Sequence, residues 1–233
     1  MINLMKYKWL FFGISLLVIL PGIISLTFYG LKLSIDFTGG TRVEKNTNGE
    51  VVSSETVGPV IGKETTINAV KSVEIEAITT EKIIDSSWKF GVSAVIALLH
   101  DVLVVVWIFS LLGHFMNVEI DSLFVTALLT VIGFSVHDTI VVFDRIRENL
   151  SRMSPKISFS DVANESILQT LRRSIMTSLT VLFTLLSLII FGGESIRWFV
   201  VALLVGIFSG TYSSIFNAAP LLVVWEEKSK KTV

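Results

Sequence analysis

The sequence predicts an all-α, polytopic membrane helix bundle, and three observations carry that class. Of 233 residues, 52% are hydrophobic and only 17% are charged, against about 25% charged in an ordinary soluble domain; mean hydropathy is +0.72. Five apolar runs approach the length of about 20 residues that crosses roughly 30 Å of hydrocarbon. Trp9, Tyr29, Trp88, Trp198 and Trp225 stand at run ends, as interfacial aromatics do.

The first run, Trp9 to Tyr29, follows Lys6 and Lys8. It is too long for the apolar core of a signal peptide and no small-residue cleavage site follows, so residues 1–30 read as a retained span. Residues 31–62 form a short extracytoplasmic segment in which Gly39 and Gly40 permit a tight architectural turn, with docking as a lesser role for Asp36 and this pair. Residues 63–87 carry Lys63, Glu64, Lys71, Glu74, Glu76, Glu81, Lys82 and Asp85. At about 2.5 to 3.5 kcal/mol for each charge near the centre of a lipid-facing helix, this segment is an atypical sixth span at best. Part of it, residues 73–77, alternates like a half-buried strand. Region 88–226 then holds four further spans, Phe90 to Leu112, Ile120 to Phe143, Ile175 to Phe191 and Trp198 to Trp225, and residues 227–233 are a tail. Within the 144–173 loop, Ser160 or Asp161 is the expected N-cap of a helix, with Glu165 in its first turns. Its arginines suit an amphipathic helix lying on the membrane face.

Orientation follows from cationic residues. The 144–173 loop holds Arg145, Arg147, Arg152, Lys156, Arg172 and Arg173, and the tail holds Lys228, Lys230 and Lys231, whereas the two short turns hold only Arg197. The positive-inside rule therefore makes the loop and both termini cytoplasmic. Five crossings cannot leave both termini on one side. Either residues 63–87 cross while shielded by other protein, or the N-terminus lies outside, or the chain is an altered version of a six-span protein.

Ionisable groups inside spans are expensive and are functional-site hypotheses by default. Asp138 with His137 lies about two turns before the first charges that belong to water, and His100 with Asp101 lies near the middle of its span. Both pairs are candidates for a proton path; the alternative for His100 and Asp101 is helix packing through hydrogen bonds. In the last span Gly206, Ser209, Gly210, Ser213 and Ser214 have the spacing of a close helix–helix interface.

Five motifs point to one family: Ser34-Ile35-Asp36-Phe37-Thr38-Gly39-Gly40-Thr41, Ser54-Glu55-Thr56-Val57-Gly58-Pro59, Ala97-Leu98-Leu99-His100-Asp101-Val102, the stretch from Val136 to Leu150, and Gly210-Thr211-Tyr212-Ser213-Ser214-Ile215-Phe216. They resemble the SecF side of the SecD/SecF protein-export family, relatives of the resistance-nodulation-division transporters. The resemblance is continuous from Trp88 onward. It departs from the family in lacking most of a large periplasmic domain between the first two spans and in the polar character of residues 63–87. It implies six spans, a SecD-like partner, the SecYEG channel, unfolded preproteins as cargo, a bacterial cytoplasmic membrane, and export assisted by the proton motive force.

By the same resemblance Asp138 matches the family's buried Asp and Arg173 its Arg at the start of the fifth span. Burial favours a neutral carboxyl and a nearby cation favours the anion, so a moving partner switches proton affinity. A change of one pKa unit is worth about 1.4 kcal/mol, a useful part of the roughly 2.3 kcal/mol per 100 mV that the membrane potential supplies. For Asp138 the alternative is a buried Asp that only holds helices together; for Arg173 it is a topology anchor. His137 replaces the family's usual Asn and either joins the relay or merely faces a neighbouring helix. Scaffold without proton transport and small-solute antiporter are the alternative functions. No phosphate-binding loop, metal-ligand cluster or nucleophile–base pair is recognisable, so neither an enzyme, a cofactor, a metal nor a nucleic-acid partner is expected.

Overall fold

A computed structural model describes residues 3–45, 51–58, 63–68, 70–71, 88–152 and 157–231. Among them, five helices are long and apolar enough to cross a membrane. A 3-10 turn, Met5–Tyr7, leads into α1, Lys8–Tyr29. Then come a single helical turn, α2, Ile35–Thr38, and a two-stranded antiparallel hairpin of β1, Gly40–Lys45, and β2, Val51–Val57. The bundle is completed by α3, Trp88–Met116; α4, Ser122–Arg152; α5, Phe159–Phe191; and α6, Arg197–Ser213, which continues through a π turn, Ser214–Ala218, into α7, Ala219–Lys231.

Ion pairs fix the direction of travel. Lys8 at the start of α1 meets Glu227 near the end of α7 at 2.6 Å, and Lys89 at the start of α3 meets Glu226 at 2.8 Å. Further along, Ser25 and Ser110 lie 3.1 Å apart. Helices α1 and α3 therefore run parallel, both from the tail end of the bundle to the hairpin end. The chain between Val57 and Trp88 joins those opposite ends. Residues 63–68 and 70–71 of it are helical and mostly exposed; the expected strand over 73–77 lies outside the described residues.

Two expectations for the 144–173 region need correction. Instead of a separate surface helix, α4 and α5 each continue past their apolar spans and pair beyond them: Asn149 donates to Ser166 at 2.8 Å and Arg145 to Gln169 at 2.6 Å. The N-cap of α5 is Ser158, whose hydroxyl accepts from the Asp161 N–H, rather than Ser160 or Asp161. The signal is right in kind but two or three residues late, because a capping hydroxyl serves the N–H two or three residues ahead of it.

Packing divides the bundle by depth. At the tail end Met5, Phe90, Ala97, Phe143, Ile167 and Leu222 belong to one apolar core. At the hairpin end Val105, Phe109, Phe124, Val131, Val200 and Leu203 belong to another. Along α3, α4, α5 and α6 the polar positions fall between the two: His100 and Asp101; Ser135, Asp138 and Thr139; Thr170, Ser174 and Ser178; Ser209 and Ser213. The helices approach closely here because the small residues allow it. A Cβ on Gly206 would collide with the Val131 side chain, and one on Gly210 would lie 3.1 Å from that of Ser135.

Candidate functional site

The polar layer contains two carboxylates in opposite settings. Asp101 is fully enclosed, at 0% exposure. Its Oδ1 accepts from Ser209 at 2.7 Å and faces His100 Nδ1 at 3.1 Å; its Oδ2 accepts from Ser135 at 2.7 Å and Ser213 at 2.6 Å. Four groups on three helices thus converge on one side chain. A carboxyl group buried this deeply is tolerable because both oxygens are hydrogen-bonded. The remaining His100 nitrogen, Nε2, is buried without a partner.

Asp138 is one helical turn from Ser135 and is held by much less. Ser174 of α5 donates to Oδ1 at 2.6 Å, while Oδ2 is buried with no hydrogen-bond partner. Its neighbour Thr139 bonds Ser214 at 2.8 Å, and Ser214 also donates to the Ser135 carbonyl at 3.3 Å. The two carboxylates are therefore linked through one turn of α4 and the start of the π turn.

Of the residues expected around Asp138, Arg173 and His137 are both exposed on the outer face of this bundle. Arg173 makes no ion pair with Asp138. Ser174, the next residue in the chain, makes the contact instead. The exposed face continues as Thr126, Thr130 and Gly133 on α4 and Thr177, Thr180, Thr184 and Ser187 on α5. Most of these hydroxyls bond to carbonyls of their own helix four residues back. The layer thus opens onto a stripe of small polar side chains that runs between exposed apolar ones such as Met176 and Phe183.

Sequence reading missed Ser135 and Ser174 and took Ser209 and Ser213 as packing residues only. Depth was the available signal for Ser135, Ser209 and Ser213, which lie well inside their spans as His100 and Asp101 do; Ser174 falls just before the apolar run that starts at Ile175 and gave no such signal. Asp36 and the glycine pair lie apart from this layer, at the hairpin end, where Gly39 and Gly40 adopt φ of 70° and 134°.

Five long apolar helices with a polar layer buried between two apolar cores define a polytopic helical membrane protein. Residues 40–228 match the family model described as protein export membrane protein SecD/SecF, C-terminal, and residues 24–44 match the SecD/SecF GG motif. Protein translocase subunit SecF of Thermobaculum terrenum is 41% identical, covering 98% of this chain and 95% of the relative; that of Anaerolinea thermophila is 40% identical, covering 97% and 94%. A crystal structure of SecDF, described as a translocon-associated membrane protein from Thermus thermophilus, superposes with a TM-score of 0.86 at 32% identity, covering 97% of this chain and 39% of that one. This chain belongs to the SecD/SecF protein-export family. The Thermobaculum alignment runs over 302 residues against 233 here, so several dozen of its positions have no counterpart in this chain.

Proposed function

We propose that this chain is the SecF-like half of a proton-driven accessory to protein export, with Asp138 as the carboxylate that takes up and releases the proton. The observation that carries this reading is the asymmetry of Asp138: one oxygen held by Ser174, the other buried and unpartnered, next to the exposed His137 and Arg173. An intramembrane carboxylate with spare acceptor capacity has reason to change protonation state. In this reading Arg173 swings toward Asp138 in one state and away in another, and His137 lines the same route.

The partner is a SecD-like subunit, seated on the polar stripe of α4 and α5. SecDF relatives from Thermus thermophilus and Bacillus subtilis support it. The assembly acts on preproteins at the SecYEG channel. The arginine-rich tail end faces the cytoplasm of a bacterial cell, and the hairpin end, residues 31–62, faces outward. The sixth crossing expected over residues 63–87 falls largely outside the described residues; a cysteine at position 71 that labels freely from outside in the assembled complex would exclude it.

Asp138→Asn is the decisive test because it keeps volume and hydrogen bonding but carries no proton. In a strain without its own copy, gradient-dependent export should fall to the level of the strain lacking the protein. Export that remains gradient-dependent and undiminished would remove the proton role.

A further inference from the structure

Asp36 has a partner outside its own segment. Its Oδ2 accepts from the backbone N–H of Ser122 at 2.9 Å, in the first turn of α4, beside Asp121, the N-cap, whose Oδ1 accepts from the Phe124 N–H at 2.9 Å. A carboxylate there satisfies an N–H that has no intrahelical partner and meets the positive end of the helix dipole. The contact is one of several between the same two segments. Ser34 donates to the Ile120 carbonyl at 2.9 Å and Ile120 to the Lys32 carbonyl at 2.8 Å, a short parallel bridge. Glu119 pairs with Lys32 at 3.3 Å and with Arg42 of β1. The positive-φ turn at Gly39 and Gly40 lets α2 present Asp36 to α4 while β1 brings Arg42 to Glu119.

Residues 119, 120 and 122 are thus each held by the segment that carries the hairpin. From Ser122 the helix runs unbroken to Arg152. Asp138 lies sixteen residues in, about 24 Å along the axis at 1.5 Å per residue. A rigid rod clamped at one end to the hairpin therefore carries Asp138 in its middle, beside the Asp101 cage that grips Ser135.

We propose that Asp36 is a positioning residue for Asp138: with Glu119 it ties the extracytoplasmic hairpin to α4, so that movement of the hairpin resets the surroundings of the buried carboxyl. The proposal rests on the reading of Asp138 as the proton carrier.

The test compares Asp36→Ala, Asp36→Asn and Glu119→Gln in the full-length protein within its membrane complex. The first readout is labelling of the Asp138 carboxyl by a hydrophobic carbodiimide, which a purely local role at the hairpin end would not alter; the second is gradient-dependent export. Asp36→Ala should change the labelling rate by about threefold or more, the lower range of what one hydrogen bond contributes, and lower export severalfold at an unchanged level of complex. Asp36→Asn, whose amide oxygen still accepts, should restore both. Unchanged Asp138 labelling in Asp36→Ala and Glu119→Gln would overturn the proposal. Should Asp36→Ala not accumulate, Glu119→Gln, at a half-exposed position outside the apolar spans, decides alone. Asp138→Asn is run beside them: if it leaves export intact, or if Asp138 in the unaltered protein does not react, the carrier reading fails. In the first case labelling still decides the tie to α4; in the second the export arms do.

Discussion

Ser174 donates to Asp138 across the α4–α5 contact at 2.6 Å, immediately beside Arg173, which reaches into no such contact. The hydroxyl occupies one carboxylate oxygen and leaves the other open. Removing it should change function far more than stability, since one interhelical hydrogen bond within a membrane averages only about 0.6 kcal/mol. Ser174→Ala is expected to accumulate normally, to resist heat in detergent as the unaltered protein does, and to lose much of its gradient-dependent export. Ser174→Thr keeps the hydroxyl and should keep most of the activity. A normal export rate in Ser174→Ala would make the contact incidental.

Asp101 should behave in the opposite way. Truncation to Ala strands four polar groups in an enclosed site, and each buried unsatisfied donor costs about 1 to 3 kcal/mol. Asp101→Ala is therefore expected to unfold or aggregate at markedly lower temperature than the unaltered protein in the same detergent. In Asp101→Asn the hydroxyls of Ser135 and Ser213 can rotate to accept from the new amide, so its loss should be much smaller. If Asp101 is only a tie between helices, the Asn variant keeps gradient-dependent export; if the variant folds well and export stops, Asp101 and His100 belong to the proton path.

How much of this was legible in the sequence depends on distance along the chain. Hydropathy located all five long apolar helices, and the cost of a buried charge singled out Asp138, His100 and Asp101. Contacts between distant residues were not readable. Nothing near Asp36 announces Ser122, and nothing in a run of apolar positions says that Ser135, Ser209 and Ser213 converge on Asp101. Helix ends beyond the membrane were misread because Asn149, Ser166, Arg145 and Gln169 support one another across α4 and α5. Composition alone shows only a polar loop there.

Gly206 sets how closely α6 approaches α4. A Cβ added there would lie 2.6 Å from Val131 Cγ1, too near for either helix to absorb without shifting. Overpacking of this kind typically costs about 1 to 3 kcal/mol. Gly206→Ala should lower the thermal midpoint of the purified protein, and Val131→Ala in the same chain should recover much of the loss by clearing the space. Gly210→Ala meets Ser135 at a gentler 3.1 Å and should cost less. Should the Gly206 and Val131 changes simply add, the two side chains are not in conflict and this account of the packing fails.

The π turn at Ser214–Ala218 has a local cause and a distant effect. Pro220 offers no N–H to the Phe216 carbonyl four residues back, and in α geometry its ring would press on that carbonyl. A wider turn accommodates both. That turn also sends Ser214 toward Thr139 on α4 and Asn217 toward Ser15 on α1, whose hydroxyl donates to the Asn217 amide oxygen at 2.7 Å. Pro220→Ala should let the helix close to regular α geometry, which favours the helix itself while rotating these polar groups off their partners. The measurable consequence is coupling. Ser15→Ala should destabilise the unaltered protein but have almost no further effect in Pro220→Ala, because the bond it removes is already broken there. A full penalty for Ser15→Ala in both backgrounds would show that the turn survives without its proline, and its cause would then have to be sought in the Asp101 cage that holds Ser213.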